Sequence, residues 1–295
     1  IFINTGGRAF VPPIPGIEDV DAMTNVEMMA LDTLPEHLVI VGGSYISLEF
    51  AQIYRRFGSR VTVVEMSERI IPREDEDVSA TIREILEGEG IEFQSCSQVS
   101  KMERTDSGFV AHLTQSEGDL ELSGSHLLMA VGRRPNTDDL GLDKAGVAVD
   151  PRGYITVDDQ LQTSVSSIWA LGDCNGQGAF THPSYNDFEI VAANLLDNDP
   201  RRVSDRIMCY GLFTDPPLGR VGMTEQQARE SGREVLIGKR LMTNVGRARE
   251  RSETDGFIKI LVDANAKEIL GAAILGINGD EVVHLLLDIM YAKAP

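Results

Sequence analysis

Leu38 to Val41 is an unbroken apolar run, the pattern of a strand covered on both faces. Gly42-Gly43-Ser44 breaks it, and Tyr45 to Phe57 then carries Ile46, Phe50, Ile53 and Phe57 at helical spacing before Gly58 offers a stop. Val61 to Val64 reads as the next buried strand. Asp75 to Glu89 reads as a second helix with acids in its first turn, where the helix dipole favours them. From Val99 to Leu122 the period changes. Lys101-Met102-Glu103, Phe109 to Leu113 and Leu120-Glu121-Leu122 alternate with turn residues between them, which predicts an antiparallel meander. Leu127 to Val131 is one more apolar strand, closed by Gly132.

The flanking patterns are shorter. Ile1-Phe2-Ile3 reads as a short strand before a Gly turn, and Val11 to Gly16 as a stiff linker, because its three prolines remove three donors. Ile155-Thr156-Val157 and Ser167 to Asp173 read as extended, followed by a helix through Ile190 and Leu195-Leu196. Beyond Arg206 come strands and a charged helix, Glu225 to Ser231. Two more strands, Phe257 to Val262 and Ile269 to Ile277, precede a final helix from Glu281 to Tyr291. The fold class is α/β: strand–helix–strand units imply a parallel sheet, and the tail reads as α+β.

A length of 295 residues favours two domains, and 42% hydrophobic with 25% charged residues is ordinary for a globular chain. Lys+Arg 27 against Asp+Glu 46 gives −19, a field that repels phosphate backbones and anionic lipid, so neither nucleic acid nor a membrane is an expected partner. No segment has the length and apolarity of a membrane span, and no charged-then-apolar leader opens the chain. Cys96, Cys174 and Cys209 form no CxxC, no CxxxxC and no metal-ligand spacing, which fits a reducing, cytoplasmic compartment with ordinary buried thiols. The start at Ile1, without Met and inside a strand, and the stop at Pro295 read as a piece of a longer polypeptide.

The turn after Val41 is the first candidate site. A dinucleotide-binding fingerprint wants Gly for the tight turn, Gly where backbone nears the pyrophosphate, and Gly where helix packs on strand. Gly42, Ser44 and Ser47 hold those positions. The context is stronger than the motif: buried strand, turn, helix, second strand, then Glu65, 23 residues after Gly42. A carboxylate there meets adenosine ribose hydroxyls and repels a 2′-phosphate, which favours NADH over NADPH, although Arg69 nearby blurs that preference. The competing reading is a covered βαβ unit whose Glu65 merely faces solvent.

Four segments together resemble the pyridine nucleotide-disulfide oxidoreductases, the family of dihydrolipoamide dehydrogenase, glutathione reductase and mercuric reductase. Gly42 to Glu49 resembles the Gly-rich NAD turn, and Ala130 to Thr137 the segment closing the NAD domain. Ile168 to Asp173 resembles the second FAD-binding motif, and Gly211 to Thr224 the opening of the dimerisation domain. The resemblance implies a Rossmann-like NAD domain (35–151) with the meander as insertion. It implies parts of an FAD domain (1–34 with the linker, and 152–205) and an α+β dimerisation domain (206–295) that is C-terminally incomplete. It implies FAD and NADH as cofactors, a homodimer, and a small-molecule or disulfide substrate. Gly42, Gly43, Ser44, Tyr45, Ile46, Glu65, Val99 and Gly132 would line the nucleotide site. Asp173 would accept from the flavin ribityl chain, its competing reading being a turn or capping Asp. Ala179, Phe180, Thr181 and His182 would lie beside the isoalloxazine, with His182 structural. Tyr45 is similar to the aromatic covering the nicotinamide pocket, and Glu49 to the carboxylate near the carboxamide. The usual Lys partner of Glu49 is absent, which would leave a costly buried charge. His284 reads as a satisfied core histidine.

The departures from the family are an absent FAD-binding Gly turn, an absent CxxxxC pair, and an absent C-terminal His-Pro with its Glu. The parent would pass hydride from NADH to FAD, then two electrons to a cysteine pair and a disulfide, metal-ion or related acceptor. Pro72 to Asp75 and Pro216 to Glu225 resemble the mercuric-reductase-like branch, which includes reductases answering reactive chlorine or metal stress. This chain alone would be an inactive fragment without the redox cysteines. Two alternatives remain: a flavin-free NAD-dependent dehydrogenase, for which no general acid is evident, and a flavin-free nucleotide-binding or dimerisation module without catalysis.

Overall fold

The structure is a computed structural model and describes residues 1–116 and 118–295. The chain folds into two compact units, Ile1–Phe10 with Gly132–Arg206, and Val11–Val131 with Ile207–Pro295. Residues 132–151 thus cluster with the first unit, and the stretch before Gly132 clusters with the tail after Arg206.

In the second unit, five parallel strands stand in the order Ala22–Met23, His126–Met129, His37–Val41, Arg60–Val64, Glu92–Gln94. The apolar run explains why both faces are covered. Leu38 and Ile40 enter one core with Leu48, Ala51 and Tyr54 of the helix Tyr45–Phe57, while Val39 and Val41 enter another with Phe109, Ala111 and Leu113. That second core is roofed by the meander Gln98–Thr105, Gly108–Thr114 and Leu120–Gly124, antiparallel as its alternation predicts. The helix Tyr45–Phe57 buries a different stripe from the one its large apolar residues suggest. Ser47, Leu48, Ala51, Gln52 and Tyr54 face inward, and Ile53 and Phe57 are exposed. Small residues at Ser47 and Ala51 suit the inward face because they let helix and strand approach closely.

The tail forms an antiparallel sheet in the order Cys209–Leu212, Leu218–Gly222, Ile269–Leu275, Phe257–Asp263, Val235–Leu241. Leu212, Leu218, Phe257, Ala273 and Leu275 join the core of the parallel sheet, so the second unit has a continuous interior. The final helix spans Gly279–Tyr291. His284 on it is exposed, not a core residue: its neighbour Val283 takes the inward position.

In the first unit, Phe2–Ile3 pairs in parallel with Trp169–Ala170, and Gly7–Ala9 pairs antiparallel with Arg133–Pro135. The stretch around Ile155 to Val157 is tied by the isolated bridges Val149–Ile155 and Val157–Thr163 rather than by a continuous ladder among the described residues. The helix after Asp173 runs Thr181–Ala192 and widens into a π turn over Ala193–Asp197. Among the described residues no helix is long and apolar enough to cross a membrane.

Candidate functional site

The turn after Val41 is built around two glycines with different jobs. Gly42 has φ 106°, and a Cβ there would lie 2.5 Å from the Ala130 carbonyl oxygen, so both conformation and space demand glycine. Gly43 donates its N–H to Glu65 Oε2 at 2.6 Å, and a Cβ on it would meet the same oxygen at 2.8 Å. Glu65 Oε1 accepts the Ser67 N–H at 2.7 Å. Glu65 is half-buried and bonded into the turn rather than facing solvent, and a carboxylate engaged twice keeps about two acceptor positions for hydroxyl donors. Ser44 caps the helix Tyr45–Phe57 through its backbone, its side chain making no cap bond and lying exposed. The amides that open this 13-residue helix give the turn a positive end suited to a pyrophosphate. Gly42, the helix end and Glu65 therefore fit an adenine dinucleotide. Ser47, at the packing-glycine position, is buried, and its Oγ has no hydrogen-bond partner.

Ile46 is half-buried on the same helix turn. Val99 contributes its side chain to the core beneath the meander, beside a register shift between Val99 and Lys101. Tyr45 donates its hydroxyl to Glu74 Oε1 at 2.6 Å, and burial together with the Glu74 charge pushes the phenol far above its ordinary range. Glu49 is not left unpaired: it is half-buried, and its Oε1 accepts the Phe213 N–H at 3.0 Å. Burial pushes the Glu49 carboxyl up, and that N–H opposes the shift.

In the first unit Gly132 is exposed with φ 146°, and its carbonyl accepts the Phe10 N–H at 3.0 Å. Asp173 lies in the turn Gly172–Asn175 and pairs with Arg133 Nη2 at 3.2 Å, a partner absent from both sequence readings of this residue. Ala179 and Phe180 lead into the helix that begins at Thr181, and the Phe180 and His182 rings stack 5.7 Å apart. Asp187 on that helix is buried. Its Oδ2 accepts the Gly172 N–H at 2.8 Å and Asn175 Nδ2 at 2.9 Å, and its Oδ1 accepts from Arg206. The sequence signal was available: Asp187 shares a helix face with Pro183, Ile190 and Val191, all buried.

A second missed group lies in the other unit, where Glu74, Asp75, Arg220 and Lys259 are buried together. An arginine in a strand paired on both sides, Leu218–Gly222, was its sequence signal. None of the cysteines forms a disulfide. Cys96 is exposed rather than buried, while burial raises the thiols of Cys174 and Cys209. Among the described residues no group of three or more His, Cys, Asp or Glu is placed to hold a metal ion.

Residues 1–190 match the family model of the pyridine nucleotide-disulphide oxidoreductases, and residues 208–295 that of the family's dimerisation domain. The chain belongs to this family of oxidoreductases and carries its dimerisation domain. It is 38% identical over 297 residues to the probable pyridine nucleotide-disulfide oxidoreductase RclA of Escherichia coli (strain K12), covering 100% of this chain and 66% of that protein. It is 36% identical over 281 residues to a mercuric reductase of Streptomyces lividans, covering 95% of this chain and 59% of that protein. Among solved structures, the HOCl-induced flavoprotein disulfide reductase RclA from Escherichia coli superposes with a TM-score of 0.92 at 37% identity, covering 100% of this chain and 67% of that one. The chain thus spans about three fifths to two thirds of the length of these relatives.

Proposed function

We propose that this protein takes hydride from NADH and passes electrons through FAD to a cysteine pair and onward to a disulfide, metal-ion or related acceptor. The observation that carries the reading is the Glu65 carboxylate bonded into the Gly42-Gly43 turn, 2.6 Å from the Gly43 nitrogen. It offers acceptors to ribose hydroxyls and repels a 2′-phosphate. Gly42, Gly43, Ser44 and Ile46 would hold the pyrophosphate end, with Tyr45 and Glu49 on the nicotinamide side. FAD would supply two-electron storage, and Asp173, paired with Arg133 at 3.2 Å, would hold it together with Ala179 to His182. The cysteine pair is one that Cys96, Cys174 and Cys209 do not supply. The relatives are named as mercuric reductase, dihydrolipoyl dehydrogenase and an HOCl-induced flavoprotein disulfide reductase, which supports a disulfide, metal-ion or related acceptor.

The test is anaerobic titration of the full-length protein. NADH should bleach the flavin absorption band, and NADPH should do so only at much higher concentration. A protein without a flavin band, or one bleached equally by both, contradicts the proposal. The 295 residues expressed alone should bind NADH and purify colourless.

A further inference from the structure

Tyr45 is the first residue of the helix that leaves the Gly42 turn, and a buried ionic cluster holds its far end. The Tyr45 hydroxyl donates to Glu74 Oε1 at 2.6 Å, and the Tyr210 hydroxyl donates to the same oxygen at 2.7 Å. The two rings pack 5.6 Å apart at 48°. On its other side, Glu74 Oε2 faces Arg220 Nε at 3.2 Å, and Arg220 Nη2 faces Asp75 Oδ2 at 3.0 Å. The guanidinium thus sits between two buried carboxylates, and their charges hold it there. The Glu74 and Arg220 side chains are 0% and 1% exposed. A buried pair of this kind gains little stability over apolar residues of the same volume. Its placement makes sense through what the carboxylate grips: one oxygen serves the guanidinium and the other serves two phenols. Tyr45 remains a donor rather than a proton source, because burial and the Glu74 charge push its phenol far above the ordinary range.

We propose that Glu74 is a positioning residue for Tyr45: braced by Arg220, it fixes the phenol so that the ring is a stationary wall on the nicotinamide side, not a swinging cover. This rests on the reading of Tyr45 as the nicotinamide-side aromatic. A ring anchored by its hydroxyl and packed on Tyr210 has already lost its rotamer freedom, so the ligand need not immobilise it on binding. The brace spans the strand–turn–helix unit and the strand Leu218–Gly222, so the interface sheet supports the nucleotide site directly.

The test compares two probes, NADH and ADP-ribose, which lacks the nicotinamide, on the full-length protein. The variants are Tyr45→Phe, the paired replacement Glu74→Leu with Arg220→Met, and all three together. The paired replacement removes both ends of the Glu74–Arg220 contact and leaves Asp75 paired with Lys259 at 3.3 Å, and Tyr45→Phe leaves the ion pair intact. NADH dissociation constants should rise on the order of tenfold for Tyr45→Phe and for the pair, equivalent to about 1.4 kcal/mol. ADP-ribose affinity should stay unchanged, and the triple variant should bind NADH no more weakly than either parent, because both changes remove one interaction. Unchanged or tighter NADH binding, parallel loss of ADP-ribose, or additive losses would each overturn the proposal. A wild type that binds neither probe overturns the nicotinamide-site reading and this inference with it. A wild type that binds both, with insensitive variants, overturns this inference alone.

Discussion

Gly42 and Ser44 stand two residues apart in one turn and tolerate change very differently. Gly42→Ala must fit a Cβ 2.5 Å from the Ala130 oxygen at a positive φ, so it should cost about 1–3 kcal/mol and displace the turn. Ser44→Ala removes an exposed side chain that caps nothing and should change stability by less than about 0.5 kcal/mol. Denaturant melts of the two variants check this, and a Gly42→Ala protein as stable as wild type would show that the turn relaxes freely. Glu49 gives a pH test. Burial raises its folded-state carboxyl above its unfolded value, so the native protein binds more protons there, and stability falls as pH rises from the ordinary carboxylate range through the raised one. Glu49→Gln should remove that fall, seen as a difference in melting temperature between wild type and variant that widens with pH; a difference independent of pH would refute it. The closeness of Glu65 to the Gly42 turn was legible from its offset and from the strand–turn–helix–strand pattern around it. The donor to Glu49 was not, because Phe213 lies 164 residues further along the chain.

Elements with a clean period were readable, and those whose partners are distant were not. Leu38 to Val41 gave its strand because each apolar residue has a core to enter, and the meander gave its alternation because one face alone is buried. Val235–Leu241 has no such signature. Among the described residues it is an edge strand, paired only with Phe257–Asp263 and largely exposed, and its apolar start, Val235 to Ile237, gives way at once to Gly238-Lys239-Arg240. The short helix Asn25–Ala30, closed by a Thr24–Glu27 capping box, was within reach of the capping signal, since Thr and Glu stand three apart there. The helix Thr181–Ala192 depends on Asp187, which ties it to the Gly172–Asn175 turn. Asp187→Ala leaves Arg206 buried without its charge partner, and should cost about 3–5 kcal/mol in chemical unfolding. Asp187→Ala with Arg206→Met should recover much of that loss. If the double variant is as unstable as the single one, the bonds to Gly172 and Asn175, not the stranded charge, carry the effect.

At the scale of the whole molecule, the final helix carries the surface on which pairing can be tested. Its inward side is occupied: Val283 is buried, and Leu286, Leu287 and Met290 pack against the antiparallel sheet. Its other side carries Val282, Leu285 and Ile289 at helical spacing, all exposed, with Leu285 at 65%. An apolar stripe on the outer face of a domain whose family model is a dimerisation domain is the surface a second copy would cover. Leu285→Glu places a charge at the centre of that stripe, on a side chain that is 65% exposed in its own subunit. It should weaken dimerisation by about 2 kcal/mol or more, roughly thirtyfold in the dissociation constant, with the fold retained. Sedimentation velocity across a dilution series reads this directly. Wild type should associate in the range where Leu285→Glu is monomeric, with identical circular dichroism for both. A variant that dimerises as tightly as wild type would place the interface elsewhere on the sheet, and the exposed stripe would then have some other occupant.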